Sequence, residues 1–259
     1  MSAAFYIGAT GMAAQQTFLD AIANNLVNAA TPSYKADRLS FQSVLRVATQ
    51  QGSDPALVSD LQGSAGMGVA VLQLGKNFAT GELKRTDAPL DLALNADGFV
   101  EVLLPDGGAA WTRSLALQVN RDGLLATADG LPLQQAIHIP LDATAIQVDR
   151  AGRVLVTVPD EKAPLEVAQL ELARFLNPAG LQALGGNLYV ANDKSGDPLR
   201  GKPGDSGFGS IVQGYLEASN VKLVDQMTAL SMSRQAFTLS AQVVQAADQM
   251  QAIVNDLRR

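Results

Sequence analysis

Few side chains in this sequence have the type and spacing that catalysis or metal binding requires. Asp87, Asp91 and Asp97 form a candidate carboxylate group, and His138 is the single histidine. The aspartate spacing does not match the alternating ligands of a calcium loop, and the preference of Asp for turns favours turn and strand-edge roles. His138 alternates with apolar neighbours, so it is predicted to face solvent on a strand, with no second histidine or thiol to act with.

The composition excludes several further classes of function. The chain has no cysteine, which rules out disulfides and thiolate metal sites. A net charge of -6 and a pI near 4.8 provide no basic stripe for nucleic acid or an anionic membrane. The glycine-rich stretches 63–68 and 201–209 lack the Lys-Ser/Thr pair of a phosphate loop. We therefore predict no enzyme, with no catalytic, cofactor-binding or metal-binding residue, and no nucleic acid or small-molecule substrate.

Both ends of the chain have helical periodicity. In 2–30, small and apolar residues recur every three or four positions, and this helix is predicted to stop at Thr31 because the residue before Pro32 avoids helical conformation. Residues 215–259 contain no Gly or Pro and predict a helix that begins at the capping-type pair Ser219 and Asn220, roughly 38 residues and about 57 Å long. Since such a helix is too long for an ordinary domain core, it needs a partner.

The middle of the chain has short alternating runs separated by Asp-Gly and similar turns, which predict an antiparallel β domain. Strands are predicted at 69–74, 90–94, 99–104, 115–119, 124–127, 145–148, 154–158, 167–175 and 188–190. The predicted fold class is α+β, with long N- and C-terminal helices packed as a coiled-coil-like pair and a central antiparallel β domain. The predicted segments are 1–47 (N-terminal helical segment), 48–68 (linker), 69–209 (β domain) and 210–259 (C-terminal helix).

Several runs of residues resemble the flagellar rod, hook and hook-associated proteins. The N-terminal run 22–35 contains Ala-Asn-Asn-Leu, then Thr-Pro and Tyr-Lys, and the C-terminal run 213–221 reads Gln-Gly-Tyr-Leu-Glu-Ala-Ser-Asn-Val. The central pattern of the family is matched at 80–94, 97–99, 111–113 and 129–132. The match departs at Val100, where a second aromatic residue is usual, and at 114–116, where a more polar turn is usual.

The resemblance implies a structural subunit of the bacterial flagellar basal body, which polymerises into a hollow rod with its terminal helices in the inner layer. The chain length and the 48–68 segment favour the distal rod branch. The nearest alternative is the proximal rod branch, and an alternative of another class is a secreted carbohydrate-binding or hydrolytic β domain.

The implied partners are copies of the chain, other rod and hook subunits, the outer ring proteins around the rod and the flagellar export apparatus. No Lys or Arg precedes Lys35, so a cleaved signal peptide is not expected, and the implied location is a basal body that spans the periplasm. The residues predicted to carry assembly lie on the periodic faces of the two helices: Ile7, Ala14, Phe18, Ile22, Asn24, Asn25, Leu26, Leu223, Met227, Leu230, Phe237, Val244, Met250, Val254 and Leu257.

Overall fold

The computed structural model describes residues 3–46, 65–159 and 163–257, which group into two compact units. Within the described residues, the helical unit draws on Met1–Leu26, Asp37–Leu74 and Lys222–Arg259. The β unit draws on Val27–Ala36 and Gly75–Val221. A helix near each end of the chain and a central antiparallel β part confirm the predicted α+β class.

The helical unit is built on two long helices, α1 (Ala3–Val27) and α2 (Leu223–Asp256). A 3-10 turn, Asn28–Ala30, follows α1, and Thr31 is extended with ψ 121°. The helix therefore ends before Pro32, as predicted. Strands β1 (Asp37–Arg46) and β2 (Ala65–Lys76) pair with each other. Most of the predicted linker 48–68 lies outside the described residues, and its last residues, 65–68, begin β2.

The C-terminal helix has 34 residues and begins at Leu223, later than the start of the predicted segment 210–259 and just after the predicted cap at Ser219 and Asn220. The residues before it form two strands, β16 (Ile211–Gln213) and β17 (Tyr215–Glu217). Gly214 separates them with a φ of +77°, a conformation that glycine adopts without steric cost. Because β17 pairs with β3, tertiary pairing decides the structure of this segment.

The remaining strands belong to the β unit. They are β3 (Leu83–Arg85), β4 (Asp91–Leu94), β5 (Val100–Leu103), β6 (Ala109–Thr112), β7 (Leu115–Val119), β8 (Leu125–Thr127), β9 (Ala145–Val148), β10 (Arg153–Thr157), β11 (Leu165–Gln169), β12 (Leu172–Arg174), β13 (Gln182–Gly185), β14 (Leu188–Val190) and β15 (Leu199–Gly201). Two four-stranded sheets have the orders β13-β14-β6-β5 and β16-β4-β7-β8, and a three-stranded sheet has the order β11-β10-β9. Two-stranded sheets are formed by β12 with β15 and by β17 with β3.

The strand predictions agree best where alternation is strong. The bounds of β7, β9 and β14 are those predicted, whereas the single run predicted at 167–175 is two strands, β11 and β12. The register between β10 and β11 shifts between Val154 and Leu155. Strands β3, β6, β13 and β15 were not predicted, because each is only three or four residues long and leaves little room for a period.

The described residues of the β unit form two hydrophobic clusters. The larger is aliphatic and includes Leu92, Val100, Leu125, Val154 and Leu172. The smaller contains the aromatic residues Phe78, Phe99, Trp111, Phe175 and Tyr189. Trp111 meets Phe175 edge-on at a centroid distance of 5.4 Å, an arrangement that aromatic quadrupoles favour. Trp111 and Tyr189 are thus core aromatics, as expected.

Candidate assembly site

Small residues allow α1 and α2 to approach closely within the helical unit. A Cβ built on Gly8 would lie 2.5 Å from Cγ2 of Val244. Further along, Ser233 Oγ lies 2.7 Å from Gln15 Oε1 and donates a hydrogen bond to it. Because the residue number rises on α1 while it falls on α2 between these contacts, the helices run antiparallel. The buried contact uses small and polar residues of α2 in preference to its large apolar ones.

Asn25 joins three elements of the helical unit. Its Oδ1 accepts a hydrogen bond from the backbone N–H of Asp37 at 2.8 Å, and its Nδ2 lies 3.2 Å from the carbonyl oxygen of Asp37. The same Nδ2 lies 3.3 Å from Oε1 of Gln226 on α2. Since Asn25 is 3% exposed, these partners replace water for a buried amide. Asn25 therefore fixes the start of β1 against both helices.

Large apolar side chains of α2 remain exposed away from this contact. They recur at spacings that keep them on one side of the helix, and we call them the outer stripe. Its members are Val224, Met232, Leu239, Val243, Met250, Ile253 and Leu257, which are between 48 and 83% exposed. An exposed apolar stripe of this length is typical of an interaction surface.

The predicted assembly residues divide between buried and exposed positions. On α1, Ala14, Ile22 and Asn25 are buried, Phe18 and Leu26 are half-buried, and Ile7 and Asn24 are exposed. Phe18 contacts Phe41 of β1 at a centroid distance of 5.1 Å.

On α2, Leu230 and Val244 are half-buried. Leu223, Met227, Phe237, Met250 and Leu257 are exposed, Phe237 at 37% the least so. The prediction for Val254 lies outside the side chains that are described. The assembly residues predicted from the sequence do not include four members of the outer stripe, Val224, Met232, Leu239 and Ile253. Each is separated from the next by seven or eight residues or by twice seven, which is close to a whole number of helical turns, and this spacing was a usable signal.

A second group of motif residues meets inside the β unit. Nζ of Lys35 lies 2.6 Å from Oε1 of Glu217, and Nε of Arg113 lies 3.1 Å from Oε2 of the same carboxylate. Lys35 is 0%, Glu217 1% and Arg113 2% exposed. We call these three residues the charge triad. Burial lowers the pKa of Lys35, and the positive charge of Arg113 lowers it further, although Glu217 acts in the opposite direction.

The segments that carry the triad are joined by further hydrogen bonds within the β unit. Asn220 Oδ1 accepts from the backbone N–H of Ala36 at 2.9 Å, and Asn220 Nδ2 donates to the carbonyl oxygen of Asn77 at 2.6 Å. The backbone N–H of Ser33 donates to the carbonyl oxygen of Glu217 at 2.7 Å. Lys35, Arg113 and Glu217 lie in the family motifs, and no role is predicted for them from the sequence. The opposite charges carried by distant motifs were the available signal.

The residues considered for chemistry do not converge on a reactive arrangement. His138 is exposed, as predicted, but it forms an isolated bridge with Leu124 instead of lying on a strand, and Asp97 is exposed in a bend. Asp87 forms an exposed ion pair with Arg85 at 2.6 Å, while Asp91 begins β4. In the described part of the chain, no group of three or more His, Asp or Glu residues is placed to hold a metal ion. The helices searched there are not long and apolar enough to cross a membrane.

Comparison with known proteins adds family matches to this geometry. Residues 5–35 match the family of flagella basal body rod proteins. Residues 93–156 match the flagellar hook protein FlgE/F/G D1 domain, and residues 212–257 match the C-terminal domain of the flagellar basal body rod FlgEFG proteins.

Individual relatives extend the match to nearly the whole chain. The flagellar basal-body rod protein FlgG of Caulobacter vibrioides is 38% identical over 256 residues, which cover 96% of this chain and 97% of that protein. FlgG of Borreliella burgdorferi is 33% identical over 264 residues and the whole of both chains. The flagellar hook protein FlgE of Caulobacter vibrioides is 27% identical over 203 residues, 34% of its own length. The chain therefore belongs to the flagellar rod and hook family and is a structural subunit of the basal-body rod, similar along its length to the FlgG proteins.

Proposed function

We propose that this rod subunit polymerises with copies of itself into a hollow helical shaft in the distal part of the rod and transmits torque to the hook. Helices α1 and α2 act as a coiled-coil-like pair in the inner layer, and the segments 1–47 and 210–259 supply that layer. The β domain, 69–209, transmits torque, and the segment 48–68 stiffens the rod. The protein has a mechanical role and no catalytic one.

The outer stripe of α2 is the observation that carries this proposal. Helix α1 covers the small-residue side of α2, and Gly8 of α1 contacts Val244 of α2 there. Its largest apolar side chains, Met232, Leu239 and Met250 among them, are left in solvent. Burying such side chains is worth about 1.5–3 kcal/mol each, so contact with a neighbouring copy would stabilise a polymer. Repetition of one heterologous contact generates a helical assembly.

The two sides of α2 have different roles in this proposal. Leu230, Phe237 and Val244 support the helix pair and contact copies at its margin. Leu223 and Met227 contact neighbouring copies directly, as do Met250, Leu257 and the rest of the outer stripe. On α1, exposed Ile7 and Asn24 face neighbouring copies, whereas Ala14, Ile22 and Asn25 maintain the subunit itself.

The experiment is an aspartate substitution in the outer stripe. Leu239→Asp would bury an unpaired charge in the subunit contact, so we expect loss of rod assembly and of motility, with the monomer still folded. Gln245→Asp is the matched control, because Gln245 is exposed on a polar side of the same helix. Rods that form normally with Leu239→Asp would refute the role of the outer stripe.

Partners and location follow from the same proposal. The chain would associate with other rod and hook subunits, pass through the flagellar export apparatus without a cleaved signal peptide, and cross the periplasm inside the outer ring proteins. A reconstruction of intact basal bodies with a small tag in the 48–68 segment would test the distal position. A tag found in the proximal rod would favour the proximal branch.

A further inference from the structure

The charge triad brings together residues that are far apart in sequence. Lys35 and Glu217 are separated by 182 positions, and Arg113 and Glu217 by 104. One carboxylate therefore serves two cations, each of which comes from an earlier part of the chain. All three residues belong to the β unit: Lys35 lies in Val27–Ala36, and Arg113 and Glu217 lie in Gly75–Val221.

The triad is closely hydrogen-bonded to the surrounding backbone. Lys35 Nζ also donates to the carbonyl oxygen of Ala79 at 2.9 Å, and Glu217 Oε1 also accepts from the backbone N–H of Gly81 at 2.8 Å. The guanidinium of Arg113 donates to the carbonyl oxygens of Gly98 and Ala96, at 3.1 and 3.0 Å. The three backbone carbonyl oxygens orient the two cations, but they carry no charge that could neutralise them.

The charge balance depends on Glu217. Without its carboxylate, Lys35 and Arg113 would be two buried like charges, and Arg113 already lowers the pKa of Lys35. Asp97 is the other carboxylate that acts on Lys35, and it does so more weakly than Glu217 and from an exposed position. Removing one partner of a buried ion pair is strongly destabilising, because the remaining charge is left uncompensated.

We propose that Glu217 is a closure switch for the β unit, which cannot fold around Lys35 and Arg113 until the C-terminal segment carrying Glu217 has docked. Lys35 and Arg113 precede Glu217 in the chain, and β17, which carries Glu217, also supplies the pairing partner of β3. Folding of the β unit is therefore held back until Glu217, which follows both cations in the chain, is in place. The proposed switch involves residues of the β unit alone, so it does not depend on rod assembly.

Equilibrium unfolding of the full chain tests the charge requirement. Trp111, the single tryptophan, reports on the β unit because it is buried in the aromatic cluster. We expect Glu217→Gln, which keeps the shape and removes the charge, to lower the folding equilibrium constant about hundredfold. Adding Lys35→Met should restore much of this loss, since it removes one of the two cations. If the double variant is no more stable than Glu217→Gln, charge compensation is refuted.

A matched ion pair provides the control for this measurement. Arg85 and Asp87 form a pair at 2.6 Å in the same unit, with side chains that are 70% and 71% exposed. Arg85→Ala should lower the folding equilibrium constant no more than about fivefold, as is usual for exposed pairs. An effect as large as that of Glu217→Gln would show that the triad has no special importance.

Pulse-labelling hydrogen exchange during refolding tests the order of events. The Gly81 amide, bonded to Glu217, should become protected in the same step as the amides of β5 and β6. Protection of β5 and β6 while the Gly81 amide still exchanges would overturn the switch, because the unit would then have closed before Glu217 docked.

Discussion

Gly8 and Val244 are packed so closely that no side chain fits between α1 and α2 at this point. A Cβ on Gly8 would lie 2.5 Å from Cγ2 of Val244, well inside van der Waals contact. The glycine lowers the intrinsic stability of α1 by about 1 kcal/mol relative to alanine, yet it permits the approach of α2. The helix pair therefore depends on a residue that helix propensity alone would disfavour.

Substitution of Gly8 by alanine should destabilise the helix pair. We expect a net loss of up to about 2 kcal/mol, because overpacking costs about 1–3 kcal/mol and the gain in propensity is about 1 kcal/mol. In a Val244→Ala background the same substitution should become stabilising. Gly11→Ala is the control, since its Cβ would meet Ser240 Oγ at 3.3 Å, where a rotation of the serine relieves the contact. Hydrogen exchange of the α1 amides measures each effect, and the same sign in both backgrounds would contradict the explanation.

Asn25→Ala should loosen the start of β1. The change leaves the backbone N–H of Asp37 without its 2.8 Å partner, and an unpaired buried donor costs about 1–3 kcal/mol. We expect faster hydrogen exchange at the Asp37 amide. Asn24→Ala, an exposed neighbour, serves as the control and should leave that amide unchanged. Equal exchange rates in the two variants would mean that Asn25 does not hold β1.

The stability of the β unit should rise with pH in the alkaline range. Burial, and then Arg113, lower the pKa of Lys35 in the folded state from its usual value of 10.5. Between the lowered value and 10.5, the unfolded chain binds more protons than the folded chain, so the free energy of unfolding increases as pH rises. Lys35→Met removes this contribution. Urea unfolding of both proteins from about pH 7 to about pH 10 measures it, and a difference that does not vary with pH would count against it.

Gly81→Ala should destabilise the β unit through a backbone clash. A Cβ there would overlap the carbonyl oxygen of Ala218, next to the Gly81 amide that donates to Glu217. Overpacking of this kind costs about 1–3 kcal/mol, and a shifted amide would add to the loss.

Gly130→Ala is the comparison for this prediction, because Gly130 has a φ of +83° but open space around it. Gly130→Ala should lower the free energy of unfolding by about 1–2 kcal/mol, which is the cost of placing a residue with a Cβ in the left-handed conformation. Urea unfolding followed by Trp111 fluorescence compares the two. If Gly81→Ala is tolerated better than Gly130→Ala, the close approach of Ala218 is not limiting.

Local pattern predicted much of the fold, and its failures have a common cause. The end of α1 at Thr31 follows from the restriction that Pro32 imposes, which acts between adjacent residues. Strands β7 and β9 alternate clearly enough to be located from sequence. By contrast, β17 is a strand of three residues, too short for a period to show, and its pairing with β3 decides its structure.

The candidate site shows the same division. Periodicity located both helices and several exposed residues such as Leu223 and Met250, but it did not distinguish the side of α2 that α1 covers. The contacts at Gly8 and Ser233 determine which side of α2 is covered, because close helix packing depends on side-chain size across the interface.

The sequence by itself determined the class of this protein. Its terminal helices, its β-rich middle and the motifs at 22–35 and 213–221 are local patterns, and each is readable without coordinates. The tertiary structure alone decided that Lys35, Arg113 and Glu217 share one buried site. Burial and charge pairing between residues 182 positions apart depend on how the whole chain closes, and no local period records them.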